Sequence, residues 1–352
     1  MNIDQKQEKT SPVFIVSSGR AGSTLLRGLL NASNQIHIPH ESDFIARAYP
    51  FYKERQELTE SDYQFLVKLF IKNSQKWGWG MTEEYLLSYL QEKKCNSLSE
   101  VQNSICQAYL EQEDVAHLKW GIKTPVLISH LDRIKDLFPD AKIVHIVRDG
   151  RDVILSYKKV HQTEQGKAKF GPSNLITGTL YWIDGVRRIE HFKSSLNIHE
   201  IKFENLLDDP DGELKKLFNF LEIEYSPEIS ENYYQAESNK NLILKGHQKT
   251  IHSKVNQGID SGNKQKFLEK MPKLNQLFFE ILTSPYLAKY EYPIKFKWTQ
   301  WGVFNVVRSP LYLAAKSFND WRYQRRDTQR YLSVKKDLEK NGKAKIHTVS
   351  TQ

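Results

Sequence analysis

Cysteine is almost missing from this 352-residue chain, which carries only Cys95 and Cys106. So small a number excludes a disulfide scaffold and an all-cysteine zinc site, and fits a reducing compartment or indifference to redox state. Both read as small buried apolar residues on one helix. Long hydrophobic runs are missing too: no window approaches ~18 uninterrupted apolar residues, so no helix is expected to span a bilayer. The opening segment MNIDQKQEKTSP has neither an apolar run nor a small-residue cleavage site, which argues against a secretory signal. Residues 1–12 are expected to be disordered and the protein to be cytoplasmic. No self-similar period or low-complexity tract is present, which excludes a repeat architecture.

Charge of one sign is scarce in the body and concentrated in the tail. The formal net charge is +9, yet from Arg308 onward 11 Lys or Arg face 4 Asp or Glu, a surplus of +7 that leaves +2 for residues 1–307. The basicity therefore says little about an active site. Core material is plentiful: the chain is 39% hydrophobic, with 17 Phe, 17 Tyr and 7 Trp. That is enough for a large core and incompatible with disorder over most of the length.

The pattern along the chain alternates strands and helices. VFIV (Val13–Val16) reads as a buried strand closed by Ser17, Ser18 and Gly19. A helix follows, capped by Ser23 or Thr24, with Leu25, Leu26, Leu29 and Leu30 as its apolar face. Residues of about 42–112 are mostly helical, a lid or wall over a sheet. A second α/β unit places Trp120–Ile122 in a strand, Val126–Phe138 in a helix stopped by Pro139, and KIVHIV (Lys142–Val147) in another buried strand. His199–Phe203 reads as a strand and Pro210–Leu221 as a helix with proline in its first turn. The expected fold is α/β and P-loop-like: three layers around a mainly parallel sheet, with a helical insertion at about 42–112. The α/β domain is expected to span 13–295, followed by a basic amphipathic extension over 296–352. Ligands of such sheets collect at the carboxyl ends of the strands.

Two such places carry unusual chemistry. SSGRAGSTLL (Ser17–Leu26) is a glycine-punctuated loop running into a helix start. Its amides, Arg20, Ser23 and Thr24 make an anion cradle. It misses the nucleoside-triphosphate pattern twice: Ser17 stands for the first glycine, and Ser23 for the lysine after Gly22. The second place is VRDGRDVILS, where a strand ends at Arg148 and a helix carries Ser156. A guanidinium fork and a hydroxyl there can converge on one phosphate. Asp149 and Asp152 pair locally with Arg151 or cap the helix; Asp149 can also be read as a magnesium-holding aspartate, which keeps a kinase reading open. Taken singly, either loop can be read as a plain structural turn. Together they suit a ligand with two separated anionic groups.

This pair of loops resembles the sulfotransferases that use 3'-phosphoadenosine 5'-phosphosulfate (PAPS), in the branch of tyrosylprotein sulfotransferases and bacterial relatives. GRAGSTLL looks like their 5'-phosphosulfate loop and IVHIVRDGRDVILSY like their 3'-phosphate-binding unit. WGIKTP, DLFPDAKIVHIVRDGRD and IKFENLL follow in the family's order, covering Val13 to Leu221 well and extending more loosely to about Tyr290. The resemblance implies that Gly19, Arg20, Ala21, Gly22, Ser23 and Thr24 bind the 5' end, that Arg148 and Ser156 bind the 3'-phosphate, and that Phe203 lies near the adenine. Ser253 in HSKV and Lys264 in GNKQKF match a late cofactor-contacting segment more weakly. Glu41, in IPHESDF, stands where the branch carries its catalytic base, and Lys123, in GIKTP, matches its catalytic lysine.

On that reading, sulfuryl transfer needs an in-line geometry and electrostatic clamps, with Arg20 and Lys123 as clamps and no metal. Glu41 is the chosen base because a carboxylate beside an acceptor hydroxyl can take its proton. His40 is its rival, and a helix-start carboxylate is the alternative role for Glu41. The acceptor is a hydroxyl on a sugar, lipid, phenol or peptide tyrosine. The segment Trp301–Tyr331, mixing aromatics with Arg322, Arg325, Arg326 and Arg330, suits an anionic membrane, an acidic acceptor or the protein's own body, with Pro310 breaking any helix near its start. Nucleic acid is not expected as a partner. The alternatives in other classes are a P-loop-type kinase and a non-catalytic polyanion-binding protein.

Overall fold

Strand β1, Val13–Val16, is buried along its whole length, as a β-branched and aromatic run covered on both faces must be. It lies at the centre of a five-stranded sheet in a computed structural model that describes residues 11–74, 79–162, 171–233, 259 and 262–340. The strands are β2 (Ile36–His37), β3 (Lys119–Lys123), β4 (Lys142–Val147) and β5 (Asn197–Lys202), in the order β2-β3-β1-β4-β5. Every pairing is parallel; Val13 sits opposite Gly121 on one side and Lys142 on the other. The order reverses about β1, so a crevice opens at its carboxyl end between β3 and β4.

Alternation along β1 divides the core. Phe14 and Val16 face a cluster with Trp120, Ile122 and the four helices α2 (Phe44–Tyr52), α3 (Glu60–Ser74), α4 (Glu83–Lys93) and α5 (Leu98–Gln112). Val13 and Ile15 face α1 (Ser23–Asn31), and Ile201 from β5 joins that side with α9 (Phe203–Asp208) and α10 (Pro210–Leu221). A period of two on the strand thus feeds both outer layers. Helix α6 (Leu131–Leu137) precedes β4, and α11 (Glu228–Asn232) follows α10. A third cluster joins α7 (Gly150–His161), α8 (Leu175–Phe192) and α13 (Lys273–Lys289), which follows the short α12 (Phe267–Lys270).

Several expectations need correcting. The expected helix over 126–138 is a 3-10 turn, Pro125–His130, followed by α6. Phe203 opens α9 instead of ending β5. Cys95 lies between α4 and α5, so only Cys106 is helical, although both are buried free thiols. Among the described residues no side chain caps α1; the cap position is Gly22, whose φ of 96° no β-carbon favours. Residues 1–10 and 341–352 lie outside the described residues.

Pro310 does not break the tail either. Helix α14, Asn305–Lys340, runs through it. Pro310 lies in the second turn on an exposed face, where water can satisfy the carbonyl that its missing N–H leaves. The rest of α14 is held by burial of Tyr312, Tyr323, Tyr331 and Val334. Its Asp327 is also buried, accepting from Arg47 of α2 and, at 3.0 Å, from Arg133 of α6. The extension is thereby fastened to the helical wall.

Candidate active site

The loop after β1 is wound by three residues in the left-handed region: Gly19 at φ 70°, Arg20 at 53° and Gly22 at 96°. Successive left-handed turns bring backbone N–H groups to one side, which makes a concavity for an anion. Packing enforces the two glycines. A β-carbon on Gly19 would lie 2.1 Å from the Tyr157 hydroxyl, and one on Gly22 2.4 Å from the Phe203 ring. The Tyr157 hydroxyl donates to the Ser18 carbonyl at 3.3 Å, so α7 fixes the loop from behind.

Strand β4 delivers the second loop beside the first. Arg148, buried, donates through Nη1 to the Arg20 carbonyl at 3.3 Å and through Nη2 to the Asn263 carbonyl at 2.7 Å. Its guanidinium lies over the Phe203 ring, 4.6 Å from the centroid. Arg20 Nε in turn donates to Ser156 Oγ at 3.1 Å. Arg20, Arg148, Ser156 and Phe203, which come from three stretches of sequence, therefore meet at the carboxyl edge of β1 and β4.

Asp149 has work of its own. It caps α7 by accepting from the Arg151 N–H at 2.9 Å, and its other oxygen accepts from Arg151 Nη2 at 2.7 Å. Arg151 completes a fully buried pair with Glu280 at 2.8 Å. Asp149 is thus committed to the local pair and the cap.

Strand β3 supplies the third element. Lys123 Nζ pairs with Glu41 Oε1 and reaches Thr24 Oγ1 at 3.4 Å. Glu41 Oε2 has no hydrogen-bond partner among the described residues. The loop carrying Glu41 is tied to the end of β3, where Thr124 Oγ1 accepts from the Ser42 N–H at 2.9 Å and donates to its carbonyl at 3.0 Å. Trp79 donates to the Glu41 carbonyl at 3.4 Å. His40 turns away from Glu41, toward Arg27, whose Nη1 donates to the Pro39 carbonyl at 3.2 Å and lies 3.4 Å from His40 Nδ1.

Positive charge is crowded here, and its cost appears in the proton affinities. Burial lowers Lys123 to about 8; Glu41 opposes that shift, while Arg27 and Arg20 add to it. Burial likewise brings Arg27 to about 10 and lowers Arg20, with Arg148 adding repulsion. His40 falls to about 3 through burial, then Arg27 and Lys123. Since arginine only donates, His40 Nδ1 is the acceptor in that contact.

Among the remaining sequence candidates, buried Ala21 and the helix-opening Ser23 and Thr24 continue the cradle. Lys264 pairs with Asp208, while the carbonyl of neighbouring Asn263 is what meets Arg148. Ser253 lies outside the described residues. Sequence reasoning missed Arg27 and Tyr157, and it assigned Asp152 to Arg151 or to the helix cap, roles that Asp149 fills instead. Asp152 accepts from the Phe267 N–H at 2.9 Å and lies 3.5 Å from Arg148. Arg27 had a visible signal, a lone cation within LLRGLL.

Fold and site together place two arginine-bearing loops side by side at the switch point of a parallel sheet. The chain belongs to the sulfotransferase family, whose model matches residues 12–227. An uncharacterized protein of Aquifex aeolicus is 23% identical over 294 residues, which are 80% of this chain and 34% of that protein. The omega-hydroxy-beta-dihydromenaquinone-9 sulfotransferase Stf3 of Mycobacterium bovis is 26% identical over 109 residues, 28% of each chain. The matched stretch is therefore 34% of the first relative's length and 28% of the second's. Among solved structures, the sulfotransferase domain of the curacin biosynthetic pathway superposes with a TM-score of 0.54 at 20% identity, covering 81% of this chain and 98% of that one. The corresponding domain of the Synechococcus PCC 7002 olefin synthase gives 0.52, also at 20% identity, covering 82% and 98%. These two share the P-loop-like α/β fold.

Proposed function

We propose that the protein transfers the sulfuryl group of PAPS to a hydroxyl acceptor. The observation that carries this reading is the meeting of the Gly19–Thr24 cradle with Arg148 and Ser156, beside a Glu41–Lys123 pair that touches Thr24. The residues fit such a donor. The cradle has no β-carbon at Gly19 or Gly22, its helix start has no side-chain cap, and two guanidinium groups border it. PAPS would supply an activated sulfuryl group and a phosphate leaving group. The cradle would hold its 5' end, and Arg148 with Ser156 the 3'-phosphate.

The chain's own part is charge and proton management. Lys123 and Arg20 offset negative charge developing at the bridging oxygen. Glu41, with Oε1 on Lys123, offers Oε2 to the acceptor hydroxyl and takes its proton. His40 is a poor rival, because a ring held neutral down to about pH 3 with Nδ1 toward Arg27 has little basicity to offer. The kinase alternative loses its magnesium candidate, because Asp149 is committed to Arg151 and the helix cap. No metal enters this scheme. The mycobacterial relative is named for a lipid-like quinone acceptor, so amphipathic alcohols belong in any acceptor panel beside sugars, phenols and tyrosine peptides. Incubation with ³⁵S-labelled PAPS and that panel should label at least one hydroxyl acceptor without added divalent cation. Phosphate transfer from ATP in place of sulfuryl transfer would overturn the proposal.

A further inference from the structure

Helix α14 has two unlike faces. One is seated on the body through Arg308, Tyr312, Asn319, Tyr323 and Asp327, all buried. On the other, Val307, Leu311, Ala314, Phe318 and Trp321 recur at four- and three-residue steps, which places them in one stripe. All five are exposed, Trp321 at 53% and Phe318 at 50%. The apolar surface continues ahead of the helix through Trp298, Trp301 at 65% and Val303 at 65%. Exposed apolar surface of this extent, centred on tryptophan, is unusual for a face turned to water alone.

The charge around it indicates what covers it. Between Lys295 and Arg326 the chain carries seven Lys or Arg and a single acid, Asp320. That acid is already engaged by Arg188 at 2.5 Å. Lys295, Lys297, Lys316, Arg325 and Arg326 are exposed, and Arg325 lies 5.6 Å from the centroid of the Trp321 ring. A second copy docking stripe to stripe would set cations against cations, since no exposed acid in this stretch is left to answer them. An anionic surface with an apolar interior answers both features: the aromatic stripe enters the boundary layer while lysine and arginine remain at the headgroups.

We propose that the segment Lys295–Arg326 is a monotopic docking face for anionic lipid bilayers, on which α14 lies in the plane of the interface. The inference stands on this surface alone and does not depend on the sulfotransferase reading. Its test is co-sedimentation of the full chain with vesicles of phosphatidylcholine alone or with 30 mol% phosphatidylglycerol, on the order of what a polybasic aromatic face should distinguish. Binding is expected to be at least ~10-fold tighter to the anionic vesicles and to be lost in about 0.5 M NaCl, where the Debye length shrinks to a few ångströms. The double substitution Trp301→Ser and Trp321→Ser, both at exposed positions, should weaken vesicle binding ~10-fold or more while leaving the melting temperature and nucleotide binding unchanged. Equal binding to both vesicle types, or a double variant that binds like the parent, would overturn the proposal. So would light scattering that shows a parent dimer dissolved by Trp321→Ser, which would assign the face to a second copy.

Discussion

Replacing Glu41 by glutamine removes the counter-charge of Lys123, an ammonium buried near Arg27 and Arg20. Breaking a buried pair commonly costs about 3–5 kcal/mol. Lysine, unlike arginine, has an exit: it can release its proton. Lys123 is at about 8 when folded, against an ordinary 10.5. Between those two values the unfolded chain binds the extra proton, so the penalty is fully present below about pH 8 and is relieved as pH rises through 10.5. At pH 7.5 it amounts to about 3 kcal/mol in the parent, at ~1.4 kcal/mol per pH unit. An amine that is wholly neutral when folded costs at most about 4 kcal/mol at that pH. The substitution therefore adds only about 1 kcal/mol, a shift of a few degrees in Tm. Catalysis loses more, because the base is gone, typically ~100-fold to 10,000-fold, and the neighbouring cation is neutralised with it.

Three measurements on this variant separate the roles. Scanning fluorimetry should show Tm within a few degrees of the parent. Calorimetry should show near-native affinity for adenosine 3',5'-bisphosphate, because Arg148 and Ser156 are untouched. Single-turnover transfer from labelled PAPS should be nearly abolished. Lys123→Met, damaging in the parent, should add little to Glu41→Gln, since the lysine there is already neutral. His40→Ala should keep substantial activity. A Glu41→Gln protein that melts far lower yet transfers normally per folded molecule would make the carboxylate a structural group and refute the assignment.

Other outcomes follow from the same geometry. Arg148→Ala should weaken adenosine 3',5'-bisphosphate binding by ~1.5–3 kcal/mol, the loss of a charge-assisted hydrogen bond, and Ser156→Ala should do so more mildly; unchanged calorimetric affinity in both would reduce the second loop to a turn. The fold should also be acid-sensitive. His37 is held at about 4 and His40 at about 3 by burial, so below the ordinary 6.5 the unfolded chain binds more protons. That part of the stability is intact above pH 6.5 and declines as pH falls toward 3–4, by up to about 4 kcal/mol for the pair at pH 5. Denaturant melts at pH 7 and pH 5 measure it, and a double variant His37→Asn, His40→Asn should flatten the difference.

The parts legible in the sequence were those set by local pattern. VFIV and KIVHIV announce central parallel strands, and the glycines after VFIV announce an anion loop. What sequence order does not carry is which side chains converge across the sheet. Arg20 reads from the sequence as a clamp at the 5' end, and nothing there shows that its Nε meets Ser156 on the neighbouring loop, a contact set by the register of β1 against β4. Arg27 read as one cation in an apolar helix, and only the packing of α1 against the Pro39–Glu41 loop gives it His40 to hold. Pro310 was expected to stop a helix that tertiary burial of Tyr312 and Asp327 sustains. Lys264 lies one residue from the carbonyl that meets Arg148, a phase along an irregular loop that no periodicity reveals.

The central claim is that two anion sites at one sheet edge receive the two phosphate-bearing ends of a 3'-phosphorylated nucleotide. Titration calorimetry of the purified chain, in buffer with EDTA, compares adenosine 3',5'-bisphosphate with ADP and ATP. The account expects the bisphosphate to bind at least ~10-fold tighter than either, and Arg148→Ala to erase most of that preference. Equal or tighter binding of ATP, or a requirement for magnesium to bind the bisphosphate, would contradict it.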